Sequence, residues 1–432
     1  MRGSLARLMA SAMLWGLTWG LLWSVLAPYL KGLGYTGSEY GLVGATSVLS
    51  GALFTLLGGV LSDRYGARPT LAVGLALESA AMALVSTGSP SLVAAGFFVN
   101  GASNGLGLVA QQALTARIGS DRELHYTFSY VSAASTLGGG LGSFLGWAPV
   151  LASRHAGIPL LEAYRYSILL ASILPLAAIA PLAGVEERLQ ARQRGGRARL
   201  RGILGRLGRG FYVAAGIDAL IGFGAAMSVH NIDYYFAAKY GVTSAQLGSV
   251  LGAQQLAMAL LMTRMPGLAE RLGGALRVYI LLASSSLPLL VAITLIDSFP
   301  LAAGLYLVRS ILMNVANPLF TAFIMSLVPS EYRGTAAAFL SISWTVPAGI
   351  GRAVGGWLLD RDLELPLRLT AAIYAAALAS LALAFRARQG EARKGRGREA
   401  IDHPGGLLPL VGPAEGPGHP SPPRRGGDRQ EG

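Results

Sequence analysis

The chain has 432 residues, 53% of them hydrophobic and only 13% charged, with 58 glycines, no cysteine and a net charge of +13. That composition excludes a soluble globule, and the missing cysteine excludes disulfides, thiol catalysis and cysteine metal sites. Eight of the 35 basic residues lie between Arg188 and Arg209 and nine from Arg386 onward, a placement that suits connectors touching anionic lipid and leaves no folded basic domain for nucleic acid.

Twelve apolar segments are predicted, near 8–30, 40–61, 70–88, 91–116, 126–152, 165–185, 211–237, 245–265, 276–296, 300–328, 334–358 and 367–386. Each is long enough for the ~20 helical residues that a bilayer requires. The first begins behind a basic n-region, but its apolar run is too long for a signal peptide, so it reads as a retained span. The even-numbered connectors carry Arg64 and Arg68, Arg117 and Arg122, the arginine-rich run, then Arg264, Arg271, Arg277 and Arg333. The odd-numbered ones hold far fewer bases, so both termini are expected in the cytoplasm.

In chain order, span 1 shows Trp15, Trp19 and Trp23 on one helical face, with Trp19 near mid-span. That stripe reads equally as a stacking surface for a solute and as packing against neighbours or lipid. Between spans 2 and 3 stands Gly59-x-Leu61-x-Asp63-Arg64-x-Gly66-x-Arg68. Glu78 is mid-span in span 3, where a partner side chain is expected. Span 4 carries Asn100 and Asn104. Span 5 carries Gly138, Gly142 and Gly146, and span 11 carries Gly351 and Gly355, strips on which another helix can approach closely. Span 7 holds Asp218 and then His230, Asn231 and Asp233; the two acids are candidates for proton coupling or, alternatively, interfacial or helix-start acids. Arg309 in span 10 is the expected cavity charge, since an arginine there costs ~2.5–3.5 kcal/mol and needs water, a partner or an anionic ligand. Asn314 and Asn317 follow it and serve either a ligand or helix contacts. Arg352 in span 11 faces the cavity or snorkels outward. The segment 387–432, rich in Pro, Gly and charge, is expected to be disordered.

The halves repeat. Shifting residues 34–66 by 207 gives ten identities in 33 positions, more than shared apolarity readily supplies, and sets Leu61, Asp63, Arg64 and Gly66 on Leu268, Glu270, Arg271 and Gly273. Repeated halves place a ligand site between them near the bilayer midplane.

The loop at Gly59–Arg68 resembles the signature loop of the major facilitator superfamily, and Leu268-x-Glu270-Arg271-x-Gly273 resembles that family's second, degenerate copy. The resemblance covers about residues 1–386. It implies an all-α membrane fold with twelve transmembrane helices in two pseudo-symmetric six-helix bundles, 1–185 and 211–386, joined by a basic cytoplasmic linker at 186–210. It further implies that helices 1, 4, 7 and 10 line the cavity. Trp19, Trp23, Asn100, Asn104, Asn231, Arg309 and Asn314 are the expected cavity residues. Asp63, Arg64, Gly66, Arg68, Glu270, Arg271 and Gly273 are the expected gating motif. Asp63 is expected to meet the start of span 11, near Ser330–Arg333, when the inside is shut, and Glu270 the start of span 5, near Ser120–Glu123; the plainer reading is a topology anchor. Two departures stand out. Ser143 occupies the place of the proline in the family's antiporter motif, and Gly101 that of the arginine usual in its proton-coupled drug exporters.

The function expected is secondary active transport of a small organic solute by alternating access, coupled to protons or another ion, by a monomer in the plasma membrane. No ATP-binding phosphate loop is present, and no enzyme activity, cofactor or metal is expected. The alternative is a non-transporting membrane sensor or scaffold of the same fold, against which the polar residues of the expected cavity speak.

Overall fold

The computed structural model describes residues 2–118, 124–187, 207–262, 264–272, 274–329 and 332–385. Most of the expected linker, the whole tail 387–432, Gly273 and the segment 119–123 lie outside them. The described residues are helical almost throughout: α1 (Arg2–Gly32), α2 (Gly37–Tyr65), α3 (Ala67–Ser86), α4 (Pro90–Ile118), α5 (Leu124–Phe144), α6 (Trp147–Ala156), α7 (Leu160–Ala171) and α8 (Ile173–Leu182) in the first half. The second half holds α9 (Gly208–Ser228), a 3-10 turn (Val229–Asn231), α10 (Ile232–Tyr240), α11 (Ser244–Met262), α12 (Met265–Leu272), α13 (Ala275–Thr294), α14 (Phe299–Asn314), α15 (Asn317–Ser326), α16 (Arg333–Leu359) and α17 (Leu365–Ala384).

Nine stretches among the described residues are helical, long and apolar enough to cross a membrane. The other three expected segments are helical too, as α5–α6, α11 and α16. Glycine, serine and, in α11, glutamine lower their apolarity, and with α1 and α2 these helices join the halves: α2 packs on α16, α5 on α11, and α1 on α10 and α11. Span 10 is broken where proline forbids continuity. Pro318, second in its helix, lacks an N–H and crowds the carbonyl four residues back, which ends α14 at Asn314.

The ends of α2 are set by local chemistry. Thr36 and Glu39 form a capping box, and the Asp360 carboxylate, from the far end of α16, accepts from the N–H groups of Gly37 and Ser38 at 2.5 and 2.8 Å. Thr243 and Gln246 repeat half of that box at the start of α11. At the other end Gly66 turns the chain with φ +102°, which a side chain would resist. Its conformational counterpart is Gly274, φ +123°, one residue beyond the position the sequence shift assigns.

The apolar core is joined at one end and divided at the other. At the end bearing Gly37, one cluster combines Leu26, Tyr29, Tyr40 and Tyr164 of the first half with Tyr234, Phe236 and Tyr306 of the second. At the end bearing Asp63 there are two clusters. One is built on Leu8, Trp15, Leu71 and Leu114, the other on Phe211, Tyr279, Phe320 and Leu381. The Gly37 end also carries hydrogen bonds between the halves: Tyr234 Oη donates to the Tyr35 carbonyl (2.9 Å), Ser244 Oγ to the Gly146 carbonyl (2.6 Å) and Trp147 Nε1 to Ser249 Oγ (2.9 Å).

Candidate functional site

Between the halves lie two confluent cavities of about 550 and 600 Å³, which share Trp19, Trp23, Asn104, Leu108, His230 and Leu251. Glycine sets how close their walls come at the Gly37 end. A Cβ on Gly37 or Gly41 would strike the backbone of Gly356, and one on Gly248 the carbonyl of Ser143. Leu49 lies against Gly349 on this seam, and further along α2 Gly51 and Gly58 face α4 instead. Leu56, Leu108 and Ile342 line the cavity yet remain 61%, 51% and 49% exposed. The cavity therefore opens toward the Asp63 end and is shut at the Gly37 end.

Its shut end carries a polar cluster from four helices. Asp233, on α10, accepts from Tyr40 Oη of α2 and from the Tyr234 N–H (2.9 Å). Arg352, on α16 and 4% exposed, places its guanidinium 5.1 Å from the Trp23 ring and 5.8 Å from the Tyr40 ring. Its Nε and Nη2 have no partner, and it lines the cavity. So the glycine strip of span 11 turns its arginine inward. Gly351 and Gly355 themselves lie against the carbonyls of Phe223 and Met227 on α9, just as Gly138 and Gly142 of α5 lie against those of Met13 and Leu17 on α1.

A third chamber of about 250 Å³ opens beside the first two and shares His230 with both. Asp218, Arg309, Asn314, Asn317 and Tyr374 line it. Arg309 is 1% exposed, 5.7 Å over the Tyr374 ring, and again has Nε and Nη2 unpartnered. Asn314 accepts from Asn317 (3.3 Å) while donating to the Ser310 carbonyl (2.9 Å), which ties the broken end of α14 to α15.

The other expected cavity residues divide. Trp19 and Trp23 face the cavity as a tilted pair 5.9 Å apart, and Asn104 lines it. Trp15 packs over Gly107 at its rim. Asn100 is buried: its amide donates to both oxygens of buried Glu78 at 3.0 and 3.1 Å and accepts from Ser47 Oγ at 2.8 Å. A buried carboxylate requires such partners, and Glu78 finds them within the first half. Asn231 is likewise buried. Its amide bonds the Arg352 carbonyl (3.2 Å) and tethers the 3-10 turn to α16.

The signature loop has a structural job that sequence alone did not reveal. Glu187, just past α8, accepts from the N–H groups of Ala67 (2.7 Å) and Arg68 (3.0 Å) at the start of α3, and pairs with Arg117 of α4. Burial alone would push the Glu187 carboxyl up; those N–H groups and the Arg117 guanidinium outweigh it and hold the carboxyl below its ordinary value. Arg117 also donates to the Ser62 carbonyl (3.3 Å) and reaches Asp63 at 3.4 Å. The Asp63 side chain is 79% exposed, and among the described residues no ion pair joins it to α16. Arg64 lies 5.2 Å over the Tyr65 ring, and Arg68 reaches the Val185 carbonyl. Glu270 and Arg271 end the short α12 on an exposed face. Glu187 is the second of two adjacent acids after an apolar run, and no spacing signal sets it apart from Glu186.

Comparison with known proteins agrees with this geometry. Residues 8–351, and in an overlapping match 215–413, fit the Major Facilitator Superfamily. Over 126 residues, 28% of the chain, there is 32% identity to the "Quinolone resistance protein NorA" of Staphylococcus aureus (strain Mu50 / ATCC 700699); the match spans 32% of that protein's length. Among solved structures, the nucleoside transporter NupG is similar over 88% of this chain and 99% of its own, with a TM-score of 0.69 and 14% identity. A bacterial homolog of the human lysosomal transporter Spinster, in an inward-facing and unoccupied conformation, is similar over 89% of this chain and 96% of its own, with a TM-score of 0.71 and 12% identity. Such identities speak for the fold alone. With the family match running through both halves and the fold shared along nearly the whole described chain, this protein belongs to the Major Facilitator Superfamily.

Proposed function

We propose that the protein is a secondary transporter that moves a small organic solute by alternating access, with twelve spans in two six-helix bundles that rock about the central cavity. The observation that carries this reading is the core, joined at the Gly37 end and split around an open cavity at the Asp63 end. A scaffold has no need for such an asymmetric seam. If the basic connectors lie in the cytoplasm, both termini are cytoplasmic and the conformation is inward-open. Asp63 then waits for the start of α16 and would engage it only when the inside closes, where the helix dipole adds ~0.3–1 kcal/mol. Glu270 is proposed as the matching gate residue at the start of α5. Contacts made in one state alone bias the equilibrium between states. Asp218 and Asp233 are the proposed coupling acids, each beside a chamber that also holds a buried arginine.

The test is reconstitution into liposomes with a solute panel that includes a quinolone, suggested by the partial likeness to the quinolone resistance protein, with and without a pH gradient. Uptake above that of protein-free liposomes for at least one solute is expected. Uptake that ignores the gradient removes proton coupling, and no uptake of any solute removes the transport reading.

A further inference from the structure

The cavity combines two tryptophans with a buried arginine whose hydrogen-bonding edge is unused, and that combination selects a chemistry. Arg352 has Nε and Nη2 unpartnered, and these two N–H groups form one side of the guanidinium, the fork that accepts both oxygens of a carboxylate at once. The charged and titratable groups around it are Asp233, Tyr40 and His230. Asp233 is occupied by Tyr40 and the Tyr234 N–H, and among the described residues it forms no ion pair with Arg352. The position of the guanidinium is built rather than accidental. A Cβ on Gly44 of α2 would collide with Cδ, Nε and Cζ of Arg352, so glycine at that position makes the seat. Trp23 covers one face of the guanidinium, and Trp19 continues the aromatic wall into the cavity.

We infer that Arg352, seated on Gly44 and backed by Trp23, is the carboxylate anchor of the central cavity, and that the protein takes aromatic solutes bearing a carboxylate. The inference rests on the reading of the cavity as a solute site and adds the solute's chemical class. Both nitrogens are buried, so the guanidinium turns toward the cavity to meet the solute; the carboxylate then bonds Nε and Nη2 of Arg352, and the ring stacks along Trp23 and Trp19. Because the anchor sits on the α2–α16 seam, a bound solute would touch both halves.

Equilibrium dialysis of the purified full chain in detergent tests it, with 2-naphthoate as the acid probe and 2-naphthamide as its uncharged isostere. The acid should bind about 10- to 100-fold more tightly, as expected for a charge-assisted pair removed from water. Arg352→Gln should bring the acid down to the amide's affinity. Gly44→Ala, which removes no polar atom but displaces the guanidinium, should shrink the preference as well. Equal binding of acid and amide by the unmodified protein, or binding of neither, overturns the proposal, as does an Arg352→Gln protein that keeps the preference. The unmodified protein decides by itself if the variants fail to fold. Binding in detergent requires no rocking. Absent uptake in liposomes with an intact acid preference therefore defeats transport alone, and uptake without that preference defeats only the anchor.

Discussion

At the scale of single residues, the signature loop does two separable things. Glu187 closes the loop in the conformation described, whereas Asp63 is exposed and lies 3.4 Å from Arg117. Removing the Glu187 charge leaves the start of α3 with weakened acceptors, and Glu187→Gln is expected to cost about 0.5–2 kcal/mol, typical of a lost helix cap. A lower thermal midpoint on detergent-solubilised protein would register it. Because its carboxyl is held below the ordinary value when folded, its stabilising contribution is present above the unfolded-chain value and disappears as pH falls through the folded one. Unmodified protein should thus lose more stability than Glu187→Gln on going from neutral to acid pH; parallel losses would contradict the assignment. Asp63→Asn should leave folding intact and slow transport, and an unaltered rate in liposomes would leave the latch without support.

Helices are the next scale, and here glycine decides where they can meet. Gly142 and Gly355 have no space for a Cβ, because the carbonyls of Leu17 and Met227 occupy it. Gly142→Ala and Gly355→Ala are each expected to cost about 1–3 kcal/mol by overpacking. Gly216 and Gly304 offer the contrast, being helical with open space about them, so alanine there should stabilise by about 0.4–1 kcal/mol. Thermal unfolding of the four variants side by side checks the ordering. The strips were legible in the sequence as i, i+4 glycines, and so were the apolar spans, since both signals are local. What was not legible depended on contacts between distant segments. Nothing near Asn100 tells that Glu78 will claim its amide, and nothing near Asp233 announces Tyr40, 193 residues away. Arg309 and Arg352 stood out as charges in apolar runs, but the direction in which Arg352 points needed α2 in place.

For the molecule as a whole, the asymmetry between its ends makes a prediction about access. With no native cysteine, Leu56→Cys and Ile342→Cys introduce single thiols on the open side of the cavity, where both positions are about half exposed or more. A membrane-impermeant thiol reagent should label both rapidly from the side that bears Asp63, while a cysteine replacing buried Tyr40 should resist. Equal labelling of all three would contradict a cavity open at one end. Labelling in sealed, oriented vesicles would also assign that end to the cytoplasm or to the exterior.

The start of α2 is held twice, once by its own Thr36 and Glu39 and once by Asp360 of the other half. If the halves part there, only the second hold is given up, and the first keeps the helix from fraying. The helix can then swing as an intact lever, and what the parting sacrifices is one borrowed carboxylate, on the order of 0.3–1 kcal/mol. Such a detachable second cap makes the closed end a fastening that can be undone and remade in every cycle without unwinding what it fastens.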